Sequence, residues 1–290
     1  TLLAKLYLNA EVYIGTPKYT DCITYCKKVI DAGYTLEPEY AKLFRIDNTE
    51  SNEIIFSIRF DGNRGRTWGG MTFLVHAPIG GSMVGADFGV NGGWGGIRTT
   101  KQFVAKFDDP SGETDARAMF YTTGQSLEID DIFNFTNGYA MTKYKNVDQN
   151  GNPGSDASGN WVDTDFPMFR LADVLLMYAE AVKRGGAGGD EATALGYINN
   201  LRERAYGDNS GNVSSYDLPF ILDERARELY WECHRRTDLR RFDLLTGGAY
   251  LWAWKGGVKD GVATSAHLNL FPIPAADVIA NPNLDQNDGY

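Results

Sequence analysis

Glycine sits in the middle of this chain where it forbids regular structure. Between residues 50 and 165, large aromatics stand among glycine pairs: Trp68-Gly69-Gly70, Gly80-Gly81 and Gly92-Gly93-Trp94-Gly95-Gly96. Glycine loses the most backbone freedom on ordering, so runs this rich in it hold neither a helix nor a strand interior. They read as irregular loops that pass close to something or present the aromatics. Within this stretch, Glu53-Ile54-Ile55-Phe56-Ser57-Ile58-Arg59-Phe60 is strand-like, dense in β-branched and aromatic side chains. Residues Asn146 to Asn160 are polar, rich in Gly, Asp and Ser, and read as an exposed loop.

The two ends differ from that middle. Leu3, Leu6, Ala10 and Tyr13 recur at helical spacing until Gly15-Thr16-Pro17, and a second helix over about 18–31 stops at Gly33. The plan returns at 168–205. Met168, Leu171, Ala172, Leu175, Ala179 and Val182 mark one helix face, and Gly185-Gly186-Ala187-Gly188-Gly189 makes the turn. Ala194, Tyr197, Ile198, Leu201 and Ala205 mark the partner helix. Such antiparallel pairs resemble tetratricopeptide units, although the usual Trp-Leu-Gly-Tyr pattern is absent. A third helix, about 217–236, is charged on most sides, and the tail from about 268 to 290 reads as non-helical. The fold class is therefore mainly α: tetratricopeptide-like helix pairs form a scaffold, with a loop-rich segment carrying a few short strands. We take residues 1–290 as one domain truncated at its N-terminus, with a helix pair over 1–49, a loop-rich segment over 50–165, and helix pairs and a tail over 166–290. Thr1 to Leu8 begins inside an amphipathic helix with no capping residue before it, which reads as part of a longer chain.

The net charge of −10 argues against a nucleic-acid partner, since a phosphate backbone recruits Lys and Arg. Mean hydropathy is −0.34, and no run approaches the ~18 apolar residues of a membrane-spanning helix. The three cysteines leave no fully paired disulfide framework. Cys22 and Cys26 share one helix face and read as ordinary core thiols.

Metal sites find no support: His76, His234 and His267 are scattered, without HExxH or CxxC spacing. Asp148, Asn150 and Asn152 alternate like a calcium loop, but Pro153 and Gly159 stand where a Gly and a Glu are needed. No cofactor motif is present. Glycosidases need two carboxylates roughly 5–10 Å apart. Asp130, Asp131, Asp163, Asp165, Glu224 and Glu228 are available, but none stands in a recognisable acid/base motif. The charged run from Asp223 to Arg241 reads as support for its own helix through pairs three and four residues apart. We assign no catalytic residue.

The aromatics carry the sharpest functional signal. A sugar offers apolar C–H faces ringed by hydroxyls, so its site wants exposed flat rings beside Arg, Asn or Asp. Trp68 follows the polar loop Asp61-Gly62-Asn63-Arg64-Gly65-Arg66-Thr67. Tyr40 lies between helix and strand, Trp94 among four glycines, and Trp161 beside the polar loop. The candidate glycan-binding residues are Trp68, Tyr40, Asn63, Arg64, Arg66 and Trp94. Trp231, Trp252 and Trp254 flank helix ends and read as packing residues.

Four stretches together resemble the SusD/RagB family of starch- and glycan-binding lipoproteins. They are Leu3-Ala4-Lys5-Leu6-Tyr7-Leu8-Asn9-Ala10, Phe169-Arg170-Leu171-Ala172-Asp173 through Ala181, and Glu224-Arg225-Ala226-Arg227-Glu228-Leu229 with Arg235 to Phe242. The fourth is the tail Leu270-Phe271-Pro272-Ile273-Pro274 through Tyr290, in which Asp288 replaces the usual Pro. The resemblance implies a surface protein, held by a lipidated N-terminal Cys, that sits on a SusC-like TonB-dependent outer-membrane transporter and has no catalysis of its own. It also implies that the chain is the C-terminal part of a longer protein, without the anchor Cys and the first helix pairs. Trp68 and Tyr40 lie where starch-binding members carry stacking aromatics. A helical-repeat scaffold that binds only protein is the alternative, since aromatics and Arg also dominate protein interfaces.

Overall fold

Helices at the two ends of residues 1–234 enclose a loop-rich middle. The chain, a computed structural model describing residues 1–290, divides into two units, Thr1–His234 and Arg235–Tyr290. In the first unit α1 (Leu2–Leu8) and α2 (Ala10–Ile14) precede α3 (Tyr19–Ile30). There follow β1 (Ile54–Ile58), α4 (Gly70–His76), α5 (Lys101–Val104), β2 (Phe120–Tyr121), β3 (Ala140–Met141) and β4 (Phe166–Arg170). The unit ends with α6 (Leu171–Lys183), α7 (Glu191–Tyr206) and α8 (Leu218–Leu229). β1 pairs antiparallel with β4, Ile54 opposite Arg170 and Ile58 opposite Phe166, and β2 pairs antiparallel with β3. The fold is mainly helical with two small sheets, as the sequence implies.

The scaffold core forms around α6, which is buried from Leu171 to Val182. Cys22, Ile23 and Cys26 of α3 and Ala194, Ile198 and Leu201 of α7 pack in the same cluster. Alanines at 172, 179, 181 and 194 let the helices approach, while each buried Leu or Ile contributes about 1.5–3 kcal/mol. The Asp190 carboxylate caps α7 by accepting the Thr193 amide at 2.8 Å, and Gly207 closes it in the left-handed conformation at φ 78°. The Asp217 carboxylate caps α8 in the same way, on the Phe220 amide at 2.8 Å.

Three expectations need correction. The first helix bends at Asn9, whose side-chain amide donates to the Lys5 carbonyl at 2.8 Å. Its buried stripe is Ala4, Leu8 and Ala10, while Leu3, Leu6 and Tyr13 are exposed, because the face turned to the core carries the small residues that allow close packing. The helix expected over 217–236 stops at Leu229. Tyr230 is extended there, and Trp231 and Cys233 take left-handed backbone at φ 61° and 63°, which turns Glu232 toward buried cations instead of continuing the helix. In the second unit, α9 (Arg235–Arg241) is followed by a tail that contains a short helix, α10 (Ala275–Ala280). Pro274 stands just ahead of it, where a missing amide has no helical partner to lose.

A buried ionic layer joins the loops to the scaffold. Glu224, Glu228 and Glu232 point inward, each fully buried. Glu224 meets Arg117 at 2.6 Å, Arg202 at 2.9 Å and Arg227 at 2.6 Å. Glu228 meets Arg170 at 2.6 Å and Arg204 at 2.5 Å, and Glu232 meets Lys143 at 2.7 Å. Local pairing, Arg227 with Glu224 and Arg241 with Asp238, is therefore only part of the account of the charge in this region. Its acids reach cations from β4, α7 and the loops around 117 and 143.

Candidate functional site

Two loops build a cluster of rings at the ends of α4. The first loop turns at Asp61, whose carboxylate accepts the amides of Asn63 at 2.8 Å and Arg64 at 3.0 Å. The Gly62 amide donates to Asp163 at 2.6 Å, and a Cβ at Gly62 would press on Asp156, Asp163 and the Trp161 carbonyl, each at 3.2 Å. Glycine fits this position closely because two loops meet there. The Arg66 Nε donates back to the Gly62 carbonyl at 3.0 Å, and Trp68 then leads into α4.

The second loop covers the other end of α4. A helix leaves its last carbonyls without partners. Here the Trp94 amide donates to the His76 carbonyl at 3.0 Å, Gly95 to Ile79 at 2.8 Å and Gly96 to Ala77 at 2.9 Å. A Cβ at Gly93 would collide with Ile79, and Gly95 sits at φ 59°, so the glycines let this backbone lie on the helix end. Trp94 is presented as a result.

The rings meet at angles. Trp68 lies 4.1 Å from Trp161 and 6.1 Å from Trp94, centroid to centroid, with planes 41° and 58° apart. Phe73 of α4 adds an edge 6.1 Å from Trp94, and His76 stacks on Trp94 at 5.1 Å and 14°. Trp68 is 55% exposed, Trp94 43% and Phe73 42%, so three apolar rings in one cluster face solvent. Asn63, Arg64 and Arg66 are exposed on the loop that precedes Trp68. The arrangement offers flat apolar surface flanked by donors, with cations that can also take hydroxyl oxygens.

Tyr40 is elsewhere, and that expectation is corrected. The short turn Tyr40–Phe44 aims Tyr40, Leu43 and Phe44 into the second core cluster, and Tyr40 is 2% exposed. Its hydroxyl donates to the Glu228 carbonyl at 2.6 Å, burial pushes its phenol well above the usual range, and the Arg204 guanidinium lies 5.0 Å from its ring. No face is free to stack on a ligand. Conversely, Phe73 and His76 were not anticipated in the cluster. Their signal was their spacing of three on a short helix that begins right after Trp68.

The acids beside the rings are already engaged. Asp156 accepts from the Ser158 hydroxyl at 2.7 Å and from the Asn160 and Trp161 amides at 3.0 Å each. The Ser158 hydroxyl first, then these amides, bring its carboxyl down to about 2. Asp163 accepts from Gly62 and from the Ser155 hydroxyl at 3.0 Å. Asp148 accepts from the amides of Asn150 and Asn152, both at 2.8 Å, which braces the loop. No helix is long and apolar enough to cross a membrane.

The model of the SusD family matches residues 120–290. The starch-binding protein SusD of Bacteroides thetaiotaomicron is 35% identical over 337 aligned residues, covering 100% of this chain and 59% of that protein. SusD-like protein P25 of Formosa agariphila is 26% identical, covering 98% of this chain and 58% of its own. This chain thus spans about three fifths of the length of these relatives. Among solved structures, surface glycan-binding protein A from Bacteroides thetaiotaomicron in complex with laminarihexaose has a TM-score of 0.71 at 23% identity, covering 98% of this chain and 62% of that one. A SusD superfamily protein from Bacteroides vulgatus has a TM-score of 0.68 at 23% identity, covering 100% and 58%. These structures share the fold. The chain belongs to the SusD family.

Proposed function

We propose that the chain binds an oligosaccharide or polysaccharide without cleaving it, on the cluster of Trp68, Trp94 and Trp161 with Asn63, Arg64 and Arg66 at its edge. The observation that carries this reading is that Trp94 and Trp161 both lie within 6.1 Å of Trp68, with Trp68 and Trp94 about half exposed, on loops fixed by backbone hydrogen bonds. The Trp68 and Trp94 rings, 6.1 Å apart with planes at 58°, suit successive sugars of a curved chain better than one flat ligand. The names of two relatives, a starch-binding protein and a surface glycan-binding protein seen with laminarihexaose, support the same chemistry. In the full-length protein, the binding unit sits at the cell surface on an N-terminal lipid anchor and hands its glycan to a SusC-like TonB-dependent outer-membrane transporter.

Calorimetric titration of the protein with maltoheptaose, laminarihexaose and a panel of other oligosaccharides tests this. Saturable binding of at least one, weakened by changing Trp68 or Trp94, is the expected result. Absence of binding across the panel at millimolar sugar sinks the reading.

A further inference from the structure

His76 closes α4 at 1% exposure, and both of its ring nitrogens face backbone carbonyls. Nδ1 lies 2.8 Å from the Gly92 carbonyl and Nε2 lies 3.1 Å from the Asn160 carbonyl. These carbonyls belong to different loops. Gly92 precedes Trp94, and Asn160 precedes Trp161. The imidazole itself stacks on the Trp94 ring at 5.1 Å.

A neutral imidazole has one N–H and one lone pair. In either tautomer, one nitrogen sets its lone pair against a carbonyl lone pair in a buried place. The doubly protonated ring donates to both carbonyls and adds a cation on the face of an indole. We infer that His76 is a proton-operated clamp on the ring cluster: its imidazolium ties the Trp94 loop to the Trp161 loop, and its neutral form lets go of one of them. As a statement about affinity, this rests on the reading of the cluster as the glycan platform.

α4 has no other titratable side chain and residues 89–97 have none, while residues 155–163 carry Asp156 and Asp163. Asp156, engaged by the Asn160 and Trp161 amides, stays anionic through the range in which histidine titrates and leaves a fixed negative charge on the loop that His76 holds. The adjoining loop brings Asp61, Arg64 and Arg66. The core under α4 brings the phenols of Tyr40 and Tyr144, which burial keeps neutral, with the Lys143 ammonium over both rings and the Lys145 ammonium over Phe88. Because coupling between two ligands is reciprocal, a glycan that needs the closed cluster tightens proton binding at His76, and protons tighten glycan binding.

The test combines imidazole 15N NMR of the wild-type chain from about pH 5 to about pH 8.5 with calorimetry at about pH 5.5 and about pH 8. Calorimetry uses maltoheptaose and laminarihexaose on the wild type and on His76→Gln, whose amide stays uncharged. The closed clamp is read as protons on both His76 nitrogens, and the open one as a proton on a single nitrogen. Wild-type affinity should be at least about fivefold higher at the lower pH, with no such dependence in His76→Gln. A His76 ring whose protonation does not change across the range overturns the clamp, as does a wild-type pH dependence that the variant retains in full. If neither sugar binds at either pH, the platform reading fails on its own. The NMR titration, read together with the amide shifts of Trp94 and Trp161, still decides the clamp in that case, and also if His76→Gln does not fold: movement of both amides with the His76 proton supports it, and static amides overturn it.

Discussion

The Arg170 guanidinium donates to the Glu228 carboxylate at 2.6 Å, with both side chains sealed from water. The same guanidinium reaches Glu53 at 2.8 Å and Glu232 at 2.6 Å, so one cation at the end of β4 serves three buried acids from two distant parts of the chain. Attraction in such a place is offset by the cost of drying the charges, but removing one partner leaves the others uncompensated.

Arg170→Ala should therefore lower stability by roughly 3–5 kcal/mol, a fall in melting temperature on the order of 10 °C. Differential scanning calorimetry measures it. An unchanged melting temperature together with lost glycan binding would move Arg170 from the scaffold to the ligand face.

Acid should weaken the fold in two windows. Burial lowers the His234 imidazole from 6.5 to about 4, against the pull of Asp173. The unfolded chain takes that proton first, so this stability is present above 6.5 and is lost as pH falls toward 4. At Glu224, burial raises the carboxyl, but Arg117, Arg227 and Arg202 outweigh it and bring it from 4.5 down to about 2. Its contribution is present above 4.5 and lost as pH falls toward 2. Urea unfolding at a series of pH values, taken as the difference from His234→Gln and from Glu224→Gln, isolates each group. Each difference should change by on the order of 3 kcal/mol across its window. A flat difference removes the corresponding group from the account.

Much of this was legible in the sequence, and the rest failed for identifiable reasons. α6 was plain because it is apolar almost all round, and β1 because β-branched residues run together there. The exposure of Trp68 and Trp94 was legible because glycine and polar neighbours leave an indole little to pack on. Tyr40 misled because Glu37, Glu39 and Lys42 surround it like a solvated loop. The spacing of Tyr40, Leu43 and Phe44 was the overlooked sign of an inward turn. The roles of Glu224, Glu228 and Glu232 were hidden because most of their partners, Arg117 and Arg170 among them, lie far away in sequence. Trp161 meets Trp68 for the same kind of reason, through loops joined by the long-range Gly62–Asp163 hydrogen bond.

No oligosaccharide that binds should be hydrolysed. A retaining or inverting pair needs one carboxyl free to give a proton and another free to attack or to activate water. Asp156 and Asp163, which flank Trp161 in sequence, hold backbone amides and serine hydroxyls instead. Reducing-end release above a protein-free control, abolished by changing a pair of carboxylates, would overturn this.

Trp68 is where the reading is most exposed to refutation. Its ring is 55% exposed and leans on Trp161 at 4.1 Å, so it is partly supported but not part of either large core cluster. Truncating a stacking ring should remove on the order of 1–3 kcal/mol of binding, by analogy with bases stacked on aromatics. That corresponds to about ten- to a hundredfold in affinity. The cost to folding should be small, because the loop is fixed by Asp61 and Asp163 rather than by the indole. Calorimetric titration of Trp68→Ala with maltoheptaose, beside a thermal melt of the same sample, separates the two effects. Affinity equal to wild type shows that the ring does not touch the sugar. A large drop in melting temperature shows instead that Trp68 holds Trp161 and the loops together, and that the platform must be sought at Trp94.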